Sequence, residues 1–171
     1  MHEPQFTGSE LEYLKECLDT TFVSSVGKFV DDFERKIEEY TGSRYAIVTV
    51  NGTSALQISL VLANVKSNDE VLVPSLSFVA TANAVCHAGA IPHFVDCEEI
   101  SLGIDASKLR AYLRDVTQKS GDELLNKYTG RRISALVPMH VYGHPSDIDG
   151  LLSVCRDFNI AMVEDAAESL G

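Results

Sequence analysis

Short apolar runs alternate with amphipathic stretches along most of this chain. The runs are rich in β-branched residues and have the length of buried strands, whereas the stretches between them carry apolar residues at helical spacing. From Tyr45 onward the successive segments are YAIVTV, TSALQISLVLANV, EVLVP, FVATANAVCHAG, IPHFVD, ASKLRAYLRDV, ISALVPM, SDIDGLLSVCRDF and IAMVED. Their order predicts an α/β fold of three layers, in which helices cover both faces of a mostly parallel sheet.

The first 42 residues follow a helical pattern without intervening strands. Apolar side chains recur every three or four positions between Phe29 and Tyr40, and Gly42 follows as a stop signal. We therefore predict an N-terminal helical segment over residues 1–42 and an α/β domain over residues 43–171. Within this domain, the polar stretch 117–132 interrupts the alternation and indicates a surface excursion.

The charge of the chain limits the partners that it can bind. A formal net charge of −11 over 171 residues disfavours nucleic acid and anionic membranes, because the chain would repel their phosphate groups. No apolar stretch reaches the roughly 18 residues needed to span a bilayer, and the N-terminus lacks the basic and apolar regions of a secretory signal peptide. These features predict a cytoplasmic protein.

The spacing of cysteine and histidine residues favours neither a disulfide framework nor a metal site. The four cysteines lack CxxC spacing, and a chain of this size and composition rarely depends on disulfides. The residues that come nearest to a zinc motif are Cys86, His87, His93 and Cys97. They are divided between a predicted helix end and a strand, with a spacing that fits no ordinary zinc finger. We therefore predict no metal.

The first candidate for chemistry is the run NGTS, which follows the strand predicted at YAIVTV. Gly52 allows close approach of a ligand to the backbone, and the unpaired N–H groups of the following helix start converge with the hydroxyls of Thr53 and Ser54. This combination suits a phosphate group. Ordinary capping of the helix by Asn51 and Thr53 is the alternative interpretation.

Two further predicted strands end beside a residue that could contact a ligand. Phe78 begins a helix after the strand that ends at Pro74, and an aromatic ring there can stack on a flat ligand or belong to the core. Asp165 ends the segment IAMVED, where a buried carboxylate would need a cationic partner, unless it caps the next helix. A phosphate cradle, an aromatic face and an acid are what pyridoxal 5'-phosphate (PLP) requires.

Five motifs occur in a fixed order along the chain. They are FVSSVGKFVDDFE, VNGTSALQISL, VPSLSFVATANAV, VPMHVYGHPSDID and VEDAAESLG. Together they resemble the N-terminal half of the fold-type I PLP-dependent nucleotide-sugar aminotransferases of the DegT/DnrJ/StrS group. The resemblance covers nearly the whole chain. It implies that residues 43–171 are part of a large PLP-binding domain, of which the C-terminal part is absent, as is the small domain.

The resemblance also implies roles for individual residues in cofactor binding. Residues 52–54 would hold the phosphate, Phe78 would stack on the ring, and Asp165 would pair with the pyridinium nitrogen. Glu168 matches a position that often hydrogen-bonds the ring hydroxyl, although much of the family has Gln or His there. The lysine that forms the Schiff base lies downstream of the EDAA motif in the family and is not in this chain. We therefore expect the chain as given to be an inactive fragment.

Four more residues are expected near the sugar substrate. Ser24 lies in a loop that resembles one near the substrate, and His140 and Tyr142 follow another predicted strand, as does His144. For the residues of this second group, loop packing and hydrogen bonding within the fold are the alternative.

The resemblance implies an activity for the whole protein. It would move an amino group from glutamate to a nucleotide-linked 4-keto-6-deoxy sugar, in the biosynthesis of cell-surface polysaccharides or other modified sugars, and would work as a homodimer. The sequences of the motifs are most similar to those of the 4-aminotransferases of bacillosamine and legionaminic acid pathways. This similarity suggests a UDP-linked N-acetylhexosamine as the substrate. Two alternatives stay open: a PLP- or PMP-dependent sugar dehydratase, if the lysine position holds another residue such as His, or a non-catalytic phosphate-binding domain.

Overall fold

The computed structural model describes residues 3–170 and divides them into two compact units, one up to Val48 and the other from Thr49. This division lies six residues beyond the predicted boundary at residue 42. The identification of residues 43–171 as part of a larger domain stays a prediction. Within the described range, no helix is both long and apolar enough to cross a membrane.

The N-terminal unit contains two helices, α1 (Glu10–Thr20) and α2 (Lys28–Thr41). Helix α2 ends at Gly42, whose φ of 70° is a left-handed conformation that glycine adopts without steric cost. Neither helix buries a residue. Both helices lie within the segment 1–42 that was predicted to be helical, so the sequence pattern predicted them correctly.

The segment YAIVTV, residues 45–50, is not a strand, and the prediction of one there is wrong for the described structure. The backbone N–H of Ala46 donates to the carboxylate of Glu38 at 3.0 Å, and that of Val48 donates to Glu34 at 2.8 Å. A strand needs a neighbouring strand to accept such hydrogen bonds, and β-branched composition does not supply one. Among the described residues, no strand pairs with this segment.

The second unit is built on a four-stranded parallel sheet with the strand order β2-β1-β5-β6. The strands of this unit are β1 (Glu70–Pro74), β2 (Ile91–Val95), β3 (Thr117–Ser120), β4 (Glu123–Asn126), β5 (Ile133–Leu136) and β6 (Ala161–Met162). Its helices are α3 (Gly52–Leu62), α4 (Val79–His87), α5 (Ala106–Val116) and α6 (Ile148–Phe158). Strands β3 and β4 form an antiparallel hairpin inside the predicted surface excursion.

Alternate residues of the central strand β1 point to two separate cores. Val71 and Val73 pack with α3 and α4 on one face of the sheet, whereas Leu72 packs with α5 and α6 on the other. A period of two in side-chain direction produces this division, since successive residues of a strand face opposite sides. The predicted three-layer α/β fold is confirmed.

Parallel pairing continues past the named strands at the carboxyl edge of the sheet. The backbone N–H of Asp165 donates to the carbonyl oxygen of Pro138 at 2.9 Å, and a parallel bridge pairs Asp165 with Met139. The segments after β5 and β6 therefore run side by side. Because all four strands of this sheet are parallel, the segments that follow them share one edge, where ligands of such sheets bind.

Candidate functional site

A cavity of about 300 Å³ lies at this carboxyl edge. Its walls come from the first turn of α3, the start of α4 and the segments after β5 and β6. The lining residues are Gly52, Thr53, Leu56, Phe78, Ala80, Met139, Asp165, Ala167 and Glu168. Five of the six residues expected to bind the cofactor are in this set, and Ser54 is the exception. The volume is at the lower end of the range of about 300–1,000 Å³ that small-molecule sites occupy.

The start of α3 presents free N–H groups to this cavity. The side chain of Asn51 caps the helix by accepting the N–H of Ser54 at 2.9 Å. The N–H groups of Gly52 and Thr53 precede the first intrahelical bond, so they have no acceptor within the helix. Asn51 is therefore the cap that the alternative interpretation expected, and the two residues after it are still available to bind an anion.

Gly52 leaves open space in front of this helix start. A Cβ atom built on Gly52 would meet no atom within 4 Å. The backbone of Gly52 is helical, so its conformation does not demand glycine. Because glycine has no side chain, the space in front of the helix start stays open. A bound phosphate group would occupy this space.

Phe78 provides an aromatic surface on another side of the cavity. It is the N-cap residue of α4, and its side chain is 65% exposed although it lines the cavity. A phenylalanine of the core would be buried, so the core interpretation of this residue is wrong. The exposed ring is available to stack on a flat ligand.

Asp165 is a buried acid without a cationic partner. Its side chain is 6% exposed, and among residues 3–170 it takes part in no ion pair. Atom Oδ2 accepts a hydrogen bond from the Thr81 hydroxyl at 2.7 Å, whereas Oδ1 has only a long contact with the N–H of Ala167 at 3.4 Å. No helix begins within residues 166–170, and capping of a following helix stays the alternative interpretation of this residue. A cationic group in the cavity would compensate for its burial.

Glu168 is held at the cavity by the loop that follows β5. Its atom Oε2 accepts the backbone N–H of Tyr142 at 2.8 Å. Gly143 has a φ of 80°, and a Cβ atom there would lie 2.7 Å from the carbonyl oxygen of Glu168, so this close approach requires glycine. Tyr142 itself is 78% exposed and does not line the cavity.

His140 is buried, and both of its ring nitrogens form hydrogen bonds within the fold. The N–H of Ser146 donates to Nδ1 at 3.0 Å, so Nδ1 carries no proton. The proton is therefore on Nε2, which donates to Glu164 at 2.8 Å. This geometry favours loop packing over substrate contact for His140. Ser24 is exposed in the N-terminal unit, and its role at the substrate stays a prediction.

Thr81 is a residue of the site that the sequence pattern did not identify. It lies within VATANAV, three positions after Phe78, and its side chain is 1% exposed. A threonine in the first turn of a helix at the carboxyl edge was the one signal in the sequence, but its partner is 84 residues away along the chain.

His93, one of the two histidines considered for a zinc site, belongs to a different polar cluster. His93 contacts Glu70 at 2.7 Å through Nδ1 and the Tyr112 hydroxyl at 2.9 Å through Nε2. Burial disfavours the charged form of Glu70, but hydrogen bonds from Thr129, Asn126 and His93 lower the pKa of this carboxyl below its usual value. Over the described residues, no group of three or more His, Cys, Asp or Glu side chains could hold a metal ion.

The chain is similar to known proteins over nearly its whole length. GDP-perosamine synthase of Caulobacter vibrioides is 39% identical over 168 residues, which are 98% of this chain and 41% of that protein. The solved structure of an aminotransferase from Psychrobacter cryohalolentis has a TM-score of 0.82 and 28% identity, over all of this chain and 40% of its own. NtdA from Bacillus subtilis, solved with bound cofactor PMP, has a TM-score of 0.79 and 28% identity, over 94% of this chain and 33% of its own.

The chain spans about two fifths of the length of the curated relatives that it matches. Residues 4–171 match one family of enzymes throughout, and the solved relatives share the three-layer fold described above. On this evidence the chain belongs to the DegT/DnrJ/EryC1/StrS aminotransferase family.

Proposed function

We propose that the protein to which this chain belongs is a PLP-dependent aminotransferase that transfers an amino group from glutamate to a nucleotide-linked 4-keto-6-deoxy sugar. The observation that carries the proposal is the meeting of three features in one cavity: the free N–H groups at the start of α3, the exposed ring of Phe78 and the buried carboxylate of Asp165. Membership of the family supports the same activity.

The residues of the cavity fit the cofactor by their chemistry. When bound, PLP supplies an electron-accepting ring that takes up the electrons of the bond broken at the amino-bearing carbon. Asp165 would keep a proton on the ring nitrogen through Oδ1, the oxygen that Thr81 does not contact. The resulting ion pair would supply the positive charge that the buried carboxylate lacks.

The other residues of the site would orient the cofactor. The N–H groups of Gly52 and Thr53 would bind the phosphate together with the hydroxyls of Thr53 and Ser54, as helix N-termini bind anions elsewhere. Phe78 would cover one face of the ring and exclude water from it. Glu168, held by the N–H of Tyr142, would accept a hydrogen bond from the ring hydroxyl.

The base that moves the proton is not among these residues. We propose that a lysine outside this chain performs that step, as the resemblance of the motifs implies, and that the 171-residue chain alone does not catalyse transamination. We also propose that the whole protein is a cytoplasmic homodimer.

The proposal also covers the nucleotide that the sugar substrate carries. The relative that is 39% identical is named for a GDP-linked sugar, whereas the sequences of the motifs suggested a UDP-linked sugar of the bacillosamine or legionaminic acid type. We propose the GDP-linked substrate for the whole protein, because the identity to that relative extends over 98% of this chain.

Binding to the 171-residue chain is best tested with pyridoxamine 5'-phosphate (PMP), since PMP needs no lysine to hold it. We expect saturable binding in a fluorescence titration, and weaker binding by the variant Asp165→Asn. A chain that folds but shows no saturable binding of PMP would contradict the placement of the cofactor.

Activity is tested on the whole protein, with glutamate and either the GDP-linked or the UDP-linked 4-keto-6-deoxy sugar. We expect an amino sugar from the GDP-linked substrate. A sugar that has lost a further hydroxyl group as water, and has gained no nitrogen, would identify the dehydratase alternative instead. Absence of any product with both substrates, from a protein that binds PLP, would reject the proposed substrate class.

A further inference from the structure

We infer that Thr81 is a positioning residue for the cofactor, and that Ser77 and Thr81 together select the carboxylate oxygen that Asp165 offers to the ring nitrogen. The inference rests on the proposed function, because it concerns the same cavity. Neither hydroxyl lines that cavity, so both would act only through Asp165.

The directions of the hydrogen bonds follow from the groups involved. An ionised carboxylate only accepts, so the Thr81 hydroxyl donates to Oδ2 of Asp165 at 2.7 Å. With its proton committed, the oxygen of Thr81 accepts the hydroxyl of Ser77 at 3.0 Å, a shorter contact than the 3.3 Å from that hydroxyl to the carbonyl oxygen of Phe78. Oδ2 therefore already accepts a short hydrogen bond within the protein. Oδ1, with its 3.4 Å contact to Ala167, is the oxygen left for a ligand.

The position of Thr81 on α4 couples the acid to the aromatic face of the site. Thr81 lies in the first turn of this helix, and its N–H donates to the carbonyl oxygen of Phe78 at 3.1 Å. The branched side chain of threonine has few rotamers, and this one is 1% exposed. The start of α4 therefore holds Asp165 and Phe78 at a defined separation. The cofactor requires this, because Asp165 would contact the ring nitrogen while Phe78 stacks on the ring face.

Replacing Thr81 with valine would keep the shape of the side chain and remove the donor. Oδ2 of Asp165 would then be buried without a hydrogen bond, a state that disfavours the charged carboxylate. The ring nitrogen of the cofactor would lose its fixed acceptor, and with it part of its affinity for a proton. Thr81→Ser would keep the donor and should behave as the unchanged chain does.

The test compares PMP binding and the protonation of its ring nitrogen in four forms of the 171-residue chain: unchanged, Thr81→Val, Thr81→Ser and Thr117→Val. Thr117 is a matched control, since it is 7% exposed and its hydroxyl donates to the carbonyl oxygen of Leu113, away from the cavity. Binding is measured by fluorescence, and protonation by the ¹⁵N chemical shift of ring-labelled PMP.

We expect Thr81→Val to bind PMP about tenfold more weakly, the effect of losing one hydrogen bond to a charged group. Its ¹⁵N signal should move toward that of the unprotonated ring. Thr81→Ser and Thr117→Val should leave the signal unchanged. Equal binding and an equal ¹⁵N shift in Thr81→Val and the unchanged chain would overturn the inference.

A failure of the proposed function would be distinct, because the unchanged chain would then not bind PMP at all. If Thr81→Val does not fold, Ser77→Ala decides the question. It removes the donor to Thr81, and we expect the ¹⁵N signal to move in the same direction by a smaller amount. A folded Ser77→Ala chain with an unmoved signal would reject the role of the hydroxyl pair.

Discussion

The hydroxyl of Thr81 lies 2.7 Å from Oδ2 of Asp165, although 84 residues separate the two in the sequence. Both side chains are buried at the carboxyl edge of the sheet. This contact joins the start of α4 to the segment after β6 and determines which oxygen of Asp165 is free.

Asp165→Asn should weaken cofactor binding without lowering the stability of the chain. We expect PMP binding to weaken by about tenfold or more, because a charged hydrogen bond is lost. The free energy of unfolding should stay equal or rise by about 1 kcal/mol, since a buried charge without a partner is removed and the amide can still accept from Thr81. Calorimetry and denaturant unfolding measure the two quantities. Asp122→Asn, an exposed residue of the turn between β3 and β4, serves as the control and should change neither.

Gly52→Ala should also weaken cofactor binding without lowering the stability of the chain. The added methyl group meets no protein atom, and alanine favours a helical backbone by up to about 1 kcal/mol, so the free energy of unfolding should rise or stay unchanged. The methyl group would occupy space needed by the phosphate. We expect weaker binding of PMP and unchanged binding of pyridoxamine, which lacks the phosphate. Equal losses for both ligands would contradict a phosphate site at the start of α3.

Phe78→Ala should weaken binding at little cost in stability. The ring is 65% exposed, so its removal should change the free energy of unfolding by about 0.5 kcal/mol at most. Loss of stacking should weaken PMP binding by about threefold to tenfold. Phe94→Ala is a matched control, because Phe94 is 54% exposed on β2 and does not line the cavity. A similar loss in the Phe94 variant would show that the effect is not one of stacking.

Glu70 should make the stability of the chain depend on pH in the acid range. Its pKa in the folded chain is below the usual value of 4.5, despite the opposing effect of burial, because Thr129, Asn126 and His93 donate to it. The stabilisation is therefore fully present above about pH 4.5 and is lost as pH falls through the folded pKa. In Glu70→Gln, the fall in unfolding free energy below pH 4.5 should be shallower. Glu99→Gln, an exposed control, should keep the slope of the unchanged chain.

The sequence by itself determined the four parallel strands and the four helices of the second unit, but not the hairpin of β3 and β4, and it indicated the edge of the sheet where the candidate ligand site lies. Periodicity is a local property, so a pattern of two or 3.6 residues identifies strands and helices without knowledge of their neighbours. Parallel strands then bring their carboxyl ends to one edge, which is why Phe78 and Asp165 could be grouped from their positions in the sequence. Gly52 was grouped with them through a preceding strand that the described structure does not contain.

Tertiary structure alone decided which of these side chains meet and in what state. The strand predicted at residues 45–50 fails because pairing needs a neighbour that periodicity does not supply. The ring nitrogens of His140 bind Ser146 and Glu164, which are 6 and 24 positions away, and Thr81 reaches Asp165, which is 84 positions away. Hydrogen bonds depend on distances of a few ångströms between such residues, and a linear pattern does not contain them.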